Sequence, residues 1–112
     1  MIDQQIEEIE VSIQAAKEQV AKMEALLRLT ENRDFKAIID DGYFVQEASR
    51  VVILKADPEM QDEKYQKQLN NSITAIGSLR QYFRGIIQLG RMAQRSIADD
   101  ELTREELLAE AV

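Results

Sequence analysis

The sequence has 112 residues, of which 45% are hydrophobic and 31% are charged, and its formal net charge is −7. This length and composition indicate one folded domain and exclude an intrinsically disordered chain. The sequence contains no cysteine and no histidine, which excludes disulfides and thiolate chemistry and removes the commonest general base and transition-metal ligand.

The first predicted helix covers residues 2–29. Its apolar residues recur at steps that alternate between four and three, at Ile2, Ile6, Ile9, Ile13, Ala16, Val20, Met23 and Leu27. A repeat of 3.5 residues sustained in this way is typical of a coiled-coil seam. The flanking residues Gln5, Ser12 and Gln19 are uncharged and give no ionic preference for a partner. The helix is therefore expected to pair either with its own copy or with a later helix of the same chain.

Two short helices are predicted next, at residues 33–41 and 43–56. Asn32 is suited to cap the first of them, and Gly42 is expected to end it in a left-handed conformation. The apolar run at residues 51–54 could form a strand on its own, but the residues before it favour a helix. Asp57 and Pro58 are expected to end this helix.

The longest predicted helix covers residues 62–98. Its apolar and small residues again alternate four and three, at Tyr65, Leu69, Ser72, Ile76, Leu79, Phe83, Ile86, Gly90, Ala93 and Ile97. Gly90 lies on this seam, which indicates a close approach of a packing partner. Gly85 lies off the seam, which leaves open a kink or a break in the helix.

These elements predict an all-α fold. We expect an elongated helical hairpin or bundle with coiled-coil-like heptad packing, in which two short helices join the long N-terminal helix to the longer C-terminal one. Residues 1–98 would form a single domain, and residues 99–112, with six acids and one arginine, an acidic tail or a short helix. Apolar faces this broad predict a homo-oligomer or a permanent partner. The predicted packing seam comprises Ile6, Ile9, Ile13, Val20, Ile76, Leu79, Phe83 and Ile86.

A row of arginines on the long helix is the candidate binding site. At 100° per residue, Arg80, Arg84, Arg91 and Arg95 fall on one side of that helix. Guanidinium groups in line suit phosphates or an acidic protein partner. The alternative is that these arginines pair within the chain, with acids at Glu24, Asp40, Asp41 or Glu47.

No catalytic, cofactor or metal site is predicted. The acid pairs Asp40/Asp41 and Asp62/Glu63 are chain neighbours, which do not face each other on a helix, and no glycine-rich phosphate loop is present. No run approaches the roughly 20 apolar residues of a membrane span, and the first residues lack the features of a secretory signal. We therefore expect a non-enzymatic protein made in the cytosol, without a membrane or nucleic acid as partner.

Several stretches carry a resemblance to a protein group. They are Glu31–Lys36, Gly42–Phe44, Glu47–Ala48, Lys55–Pro58 and Ala75–Arg84. Within residues 28–98 the chain resembles small all-helical proteins of tailed bacteriophages, some of which are encoded among head and virion-assembly genes. The resemblance transfers no functional residue, but it implies a virion or a bacterial host cytoplasm as the location. It also implies an oligomeric structural or assembly-accessory protein, with an anti-defence protein that blocks an immune complex or sequesters its nucleotide signal as the alternative.

Overall fold

The computed structural model describes residues 1–112 and confirms the all-α fold class. The chain forms α1 (Ile2–Glu31), α2 (Arg33–Phe35), a π-helix (Lys36–Glu47), α3 (Ala48–Ala56), a 3-10 turn (Pro58–Met60) and α4 (Glu63–Glu110). It divides into two compact units. Unit 1 comprises Met1–Leu26 and Gly85–Val112, and unit 2 comprises Leu27–Arg84. Helices α1 and α4 each contribute to both units.

Unit 1 is an antiparallel pair made by the first part of α1 and the second part of α4. The Ser12 hydroxyl donates a hydrogen bond of 2.9 Å to a carboxylate oxygen of Asp100, and Met23 packs on Gly90. Four seam residues of this unit are half-buried and flank the buried core: Ile6, Ile9, Val20 and Ile86. The buried core is made of apolar residues from both helices, namely Ile13, Ala16, Met23, Leu26 and Ala93.

Gly90 allows the two helices of unit 1 to approach closely. A methyl group built on Gly90 would overlap the Cβ atom of Met23 and would lie 2.6 Å from its sulfur. Every larger residue at this position would therefore push α4 away from α1. The helix is unbroken at Gly85 and at Gly90, so neither residue marks a helix end.

Helix α4 continues to Glu110, past the predicted end at residue 98. The four-and-three spacing in fact continues beyond Ile97, to Asp100, Arg104 and Leu107, and all three of these residues are half-buried. Residues 99–110 are thus neither a separate tail nor a separate helix, because they extend the packing of α4 on α1.

Unit 2 corrects the prediction of two short helices. The chain is helical without interruption from Arg33 to Ala56, through α2, the π-helix and α3. No glycine has a positive φ, so the prediction of Gly42 as a left-handed cap is wrong. A methyl group at Gly42 would lie 2.9 Å from the carbonyl oxygen of Ala37, five residues earlier. In a π-helix the backbone hydrogen bonds join residues five apart, so glycine suits this crowded position.

The Phe83 ring of α4 packs on aromatic rings of α2 and of the π-helix within unit 2. Its ring lies 6.0 Å from the ring of Phe35 and 5.9 Å from that of Phe44, the latter at an edge-on angle of 75°. Such aromatic pairs contribute about 0.5–1.5 kcal/mol each beyond their area burial. Val51, Leu69 and Ile76 are the buried residues of unit 2, and Leu79 is half-buried.

Side-chain hydrogen bonds order the turn between α3 and α4. Asp57 accepts from the Glu59 amide at 2.9 Å, and Pro58 occupies the first position of the 3-10 turn. The Gln66 side chain donates to the carbonyls of Lys55 and Met60 at 3.1 and 2.8 Å. The predicted end of α3 before Asp57 is thereby confirmed.

Three predicted seam positions lie on the surface instead. Leu27 and Tyr65 are 41% and 40% exposed, and Ser72 is also exposed. Leu26 is buried in place of Leu27. A strict 3.5-residue spacing assumes one partner along the whole helix, whereas α1 passes from unit 1 to unit 2 between these two leucines.

Candidate functional site

The four arginines of the predicted row are all exposed on α4. Arg80 and Arg84 belong to unit 2, and Arg91 and Arg95 belong to unit 1. Each pair is spaced by four residues, so its two guanidinium groups share one face of the helix. The guanidinium carbon of Arg80 lies 5.8 Å from the centre of the Phe44 ring, a distance at which a cation is attracted to an aromatic face.

None of these four arginines forms an ion pair with the acids that the sequence offered. The ion pair in the structure joins Arg50 to Glu47, its neighbour three residues earlier. The hydrogen bonds from Arg50, one of them 3.0 Å long, lower the pKa of the Glu47 carboxyl below its usual value. Because the pKa is lowered, Glu47 is ionised and paired with Arg50 at neutral pH, and the ion pair is lost when acid protonates Glu47. Glu47 is thus engaged on its own helix, and none of the four α4 arginines has a carboxylate partner.

The first apolar surface lies on unit 2, along the π-helix and α3. Three side chains there, Val45, Val52 and Ile53, are 55%, 56% and 71% exposed. With Phe44, Ala48 and Ser49 they line an open groove of about 480 Å³. The run at residues 51–54 explains part of this exposure. Four consecutive helical residues point in directions 100° apart, so they cannot all face one core, and only Val51 is buried.

The second surface is a groove on unit 1, between α1 and α4. Two depressions of about 360 and 310 Å³ share Ser12 in their lining. On α1 the lining runs from Gln5 to Gln19, and on α4 from Leu89 to Leu107. The two depressions therefore adjoin at Ser12, whose hydrogen bond to Asp100 crosses from α1 to α4 there, and we call them together the groove of unit 1. Its lining between Ser12 and Gln19 on α1 and between Leu89 and Ser96 on α4 contains no charged residue.

Sequence reasoning missed both grooves, although signals for them exist. The exposed apolar residues of unit 2 lie on the π-helix and on α3. The spacing rules for α-helices do not predict π-type turns, whose hydrogen bonds join residues five apart. The groove of unit 1 can be read from the uncharged residues Gln5, Ser12 and Gln19, spaced by seven beside the α1 seam. Leu89, Ser96 and Thr103 repeat that spacing on α4.

The structure shows no group of three or more acidic side chains placed to hold a metal ion. None of its helices is both long enough and apolar enough to cross a bilayer. Comparisons of the chain with protein-family models, curated proteins and solved structures give no match.

Proposed function

We propose that this chain acts without catalysis, by binding proteins through its helices, and that its first partner is a second copy of itself. The observation that carries this proposal is the apolar surface that each unit leaves exposed, namely Val45, Val52 and Ile53 on unit 2 and Leu89 and Met92 on unit 1.

The character of that surface supports the same proposal. Sixteen large hydrophobic side chains are exposed, against eight hydrophobic residues in the core. Single exposed apolar residues are normal, but groups of them, such as those along the two grooves, mark interaction sites. Each 100 Å² of apolar surface removed from water contributes about 2.5 kcal/mol before the entropic cost of association.

The resemblance to tailed-phage proteins gives self-association a biological setting. We propose that the oligomer is a structural or assembly-accessory component of a virion, located in the virion or in the host cytoplasm. An affinity-tagged chain expressed during phage infection would then copurify with capsid or tail proteins. Recovery of the chain with host proteins alone would contradict the virion role and leave self-association to be judged separately.

Light scattering coupled to size-exclusion chromatography tests self-association directly. The expected mass is a whole-number multiple of 12.8 kDa, two or larger, at micromolar concentration. A mass of one chain that persists up to millimolar concentration would overturn the proposal.

The exposed arginines on α4 support a second candidate function, the binding of a phosphate-bearing ligand such as a nucleotide signal. Its supporting observation is that all four guanidinium groups are exposed and lack a carboxylate partner. Calorimetric titration with a cyclic dinucleotide and with a nucleoside triphosphate would detect such binding. Arg84→Ala and Arg91→Ala should abolish it, and Lys64→Ala, which removes an exposed cation outside the row, should not. No heat from either nucleotide with the unaltered chain would contradict this candidate.

A further inference from the structure

The groove of unit 1 has the dimensions and the lining of a helix-docking surface. It follows 15 residues of α1, from Gln5 to Gln19, a length of about 22 Å at 1.5 Å per residue. Between Ser12 and Gln19 its lining has small side chains, with Ala15 and Ala16 on one side and Ala93 on the other. Small side chains let a further helix approach closely, since the distance between helix axes depends on the residues at the contact.

Apolar side chains border this small-residue floor. Leu89 and Met92 line the groove from α4 and are each 49% exposed. The flexible thioether of Met92 can adapt its shape to a partner. The groove therefore offers apolar contact along its sides and close backbone approach along its floor.

Charge is distributed very unevenly over the chain. Unit 1 holds twelve acidic and five basic residues, and unit 2 holds nine of each, so the whole net charge belongs to unit 1. Within unit 1, residues 1–10 and 99–112 hold ten acids and one arginine, a balance of −9. Residues 11–26 and 85–98 hold four bases and two acids, a balance of +2. Because α1 and α4 are antiparallel, the first two segments lie together at one end of unit 1, which we call the acidic end.

We propose that the groove of unit 1 binds the same groove face of a second copy of this chain, with the two copies antiparallel. This inference rests on the proposed self-association and specifies its interface. Two copies in parallel would place their acidic ends side by side, where the carboxylates of one copy repel those of the other. The antiparallel arrangement places each acidic end beside the basic segment of the other copy. With the two-fold axis at the groove midpoint, Ser12, Glu7 of one copy lies level with Lys17 of the other.

The resulting assembly is a four-helix arrangement, two helices from each copy. It covers the surface that the two-helix pair of unit 1 leaves in solvent, and it requires no residue of unit 2. A closed two-fold assembly of this kind uses the same patch on both copies. Association therefore stops at the dimer unless another surface of the chain also binds a copy.

A matched pair of substitutions tests the location of the interface. Ala15→Arg places a large cation on the groove floor, whereas Ala21→Arg places it on an exposed part of α1 about 120–180° around the helix from the groove lining. We expect Ala15→Arg to weaken association at least 100-fold, measured by sedimentation equilibrium, and Ala21→Arg to change it less than threefold. Far-UV circular dichroism should show unchanged helix content in both. A third variant, Val52→Arg, probes the groove of unit 2 and should retain association.

Single cysteines test the orientation, because the chain has no cysteine of its own. An antiparallel dimer centred on Ser12 brings position 5 of one copy near position 19 of the other. Ser12→Cys should then form a disulfide with itself on mild oxidation, since the two Cβ atoms approach the required 3.5–4.5 Å or so. Gln5→Cys mixed with Gln19→Cys should give a mixed dimer, while each alone should not crosslink.

The outcomes separate this inference from the proposed function. Crosslinking of Gln5→Cys alone and of Gln19→Cys alone would show parallel copies and overturn the orientation. An oligomer that withstands Ala15→Arg but dissociates with Val52→Arg would overturn the choice of groove and leave self-association standing. An unaltered chain with the mass of a single copy would overturn both.

Discussion

Gly90 gives the most specific prediction, because the chain holds two glycines on the same helix for comparison. Gly77, Gly85 and Gly90 all lie within α4. A methyl group at Gly77 or Gly85 would meet nothing within 4 Å, whereas at Gly90 it would overlap Met23. The three glycine-to-alanine substitutions therefore share one chemical change and differ only in the space that receives it.

The expected free energies follow from two terms. Replacing glycine by alanine inside a helix stabilises the folded state by about 1 kcal/mol, and this term applies at all three positions. Overpacking costs about 1–3 kcal/mol, and it applies only to Gly90→Ala, because the clashing Cβ atom of Met23 is fixed to the α1 backbone. Gly90→Ala should thus be less stable than Gly77→Ala and Gly85→Ala by about 1–3 kcal/mol, which corresponds to roughly 4–12 °C in Tm for a chain of this size.

Thermal and urea unfolding followed by circular dichroism would measure these differences. All variants must be compared at one protein concentration, since the stability of an oligomer depends on concentration. We expect the two open positions to raise Tm above that of the unaltered chain. If Gly90→Ala raised Tm as much as Gly85→Ala, the close packing of α4 on Met23 would be refuted.

Three further predictions concern other parts of the chain. Asn32 accepts the amides of Asp34 and Phe35 at 3.0 Å, so Asn32→Ala should lower the free energy of unfolding by about 1 kcal/mol in urea titrations and Asn32→Asp by much less. Removal of residues 99–112 should lower Tm, because it uncovers the half-buried Ile6 and Ile9 on α1, whereas removal of residues 111–112 should not; equal Tm values for the two truncations would contradict the packing of α4 on α1. Arg84→Ala and Arg91→Ala should each change the free energy of unfolding by less than about 0.5 kcal/mol, since neither side chain has an ion-pair partner, and a larger loss would mean that these arginines stabilise the fold.

The apolar spacing of α4 was informative because a heptad pattern specifies which face of a helix is buried. Leu69, Ile76, Gly90 and Ala93 all lie on the predicted seam and are buried. The same rule predicted the helix end too early. At Asp100 and Arg104 the seam carries charged residues, and a pattern built on apolar residues stops there. The hydrogen bond from Ser12 to Asp100 explains how a carboxylate occupies a half-buried position on that seam.

The segment around Gly42 shows where local sequence rules fail. Two acids followed by glycine resemble a helix end, yet the chain remains helical through Asp40, Asp41 and Gly42. Glycine serves there because the Ala37 carbonyl oxygen approaches closely, and not because of a left-handed φ. Local propensity cannot distinguish these two uses of glycine, since both depend on the absence of Cβ.

The arginine row could be placed on α4 from helical spacing alone, but its partners could not. Pairing with acids such as Asp40, Asp41 or Glu47 required knowledge of which helices are neighbours and how they are oriented. Glu47 pairs instead with Arg50, one turn away on the same helix. Pairs one turn apart are favoured because the chain itself holds the two side chains close together.

Sedimentation equilibrium of the unaltered chain, over a range of concentrations and at physiological salt, tests the central claim most directly. The exposed apolar side chains and the groove of unit 1 predict a mass of at least twice 12.8 kDa at micromolar concentration. They also predict dissociation of the Ala15→Arg variant under the same conditions. A single-chain mass for the unaltered protein at every concentration would contradict the claim that its exposed apolar surface exists to bind another copy.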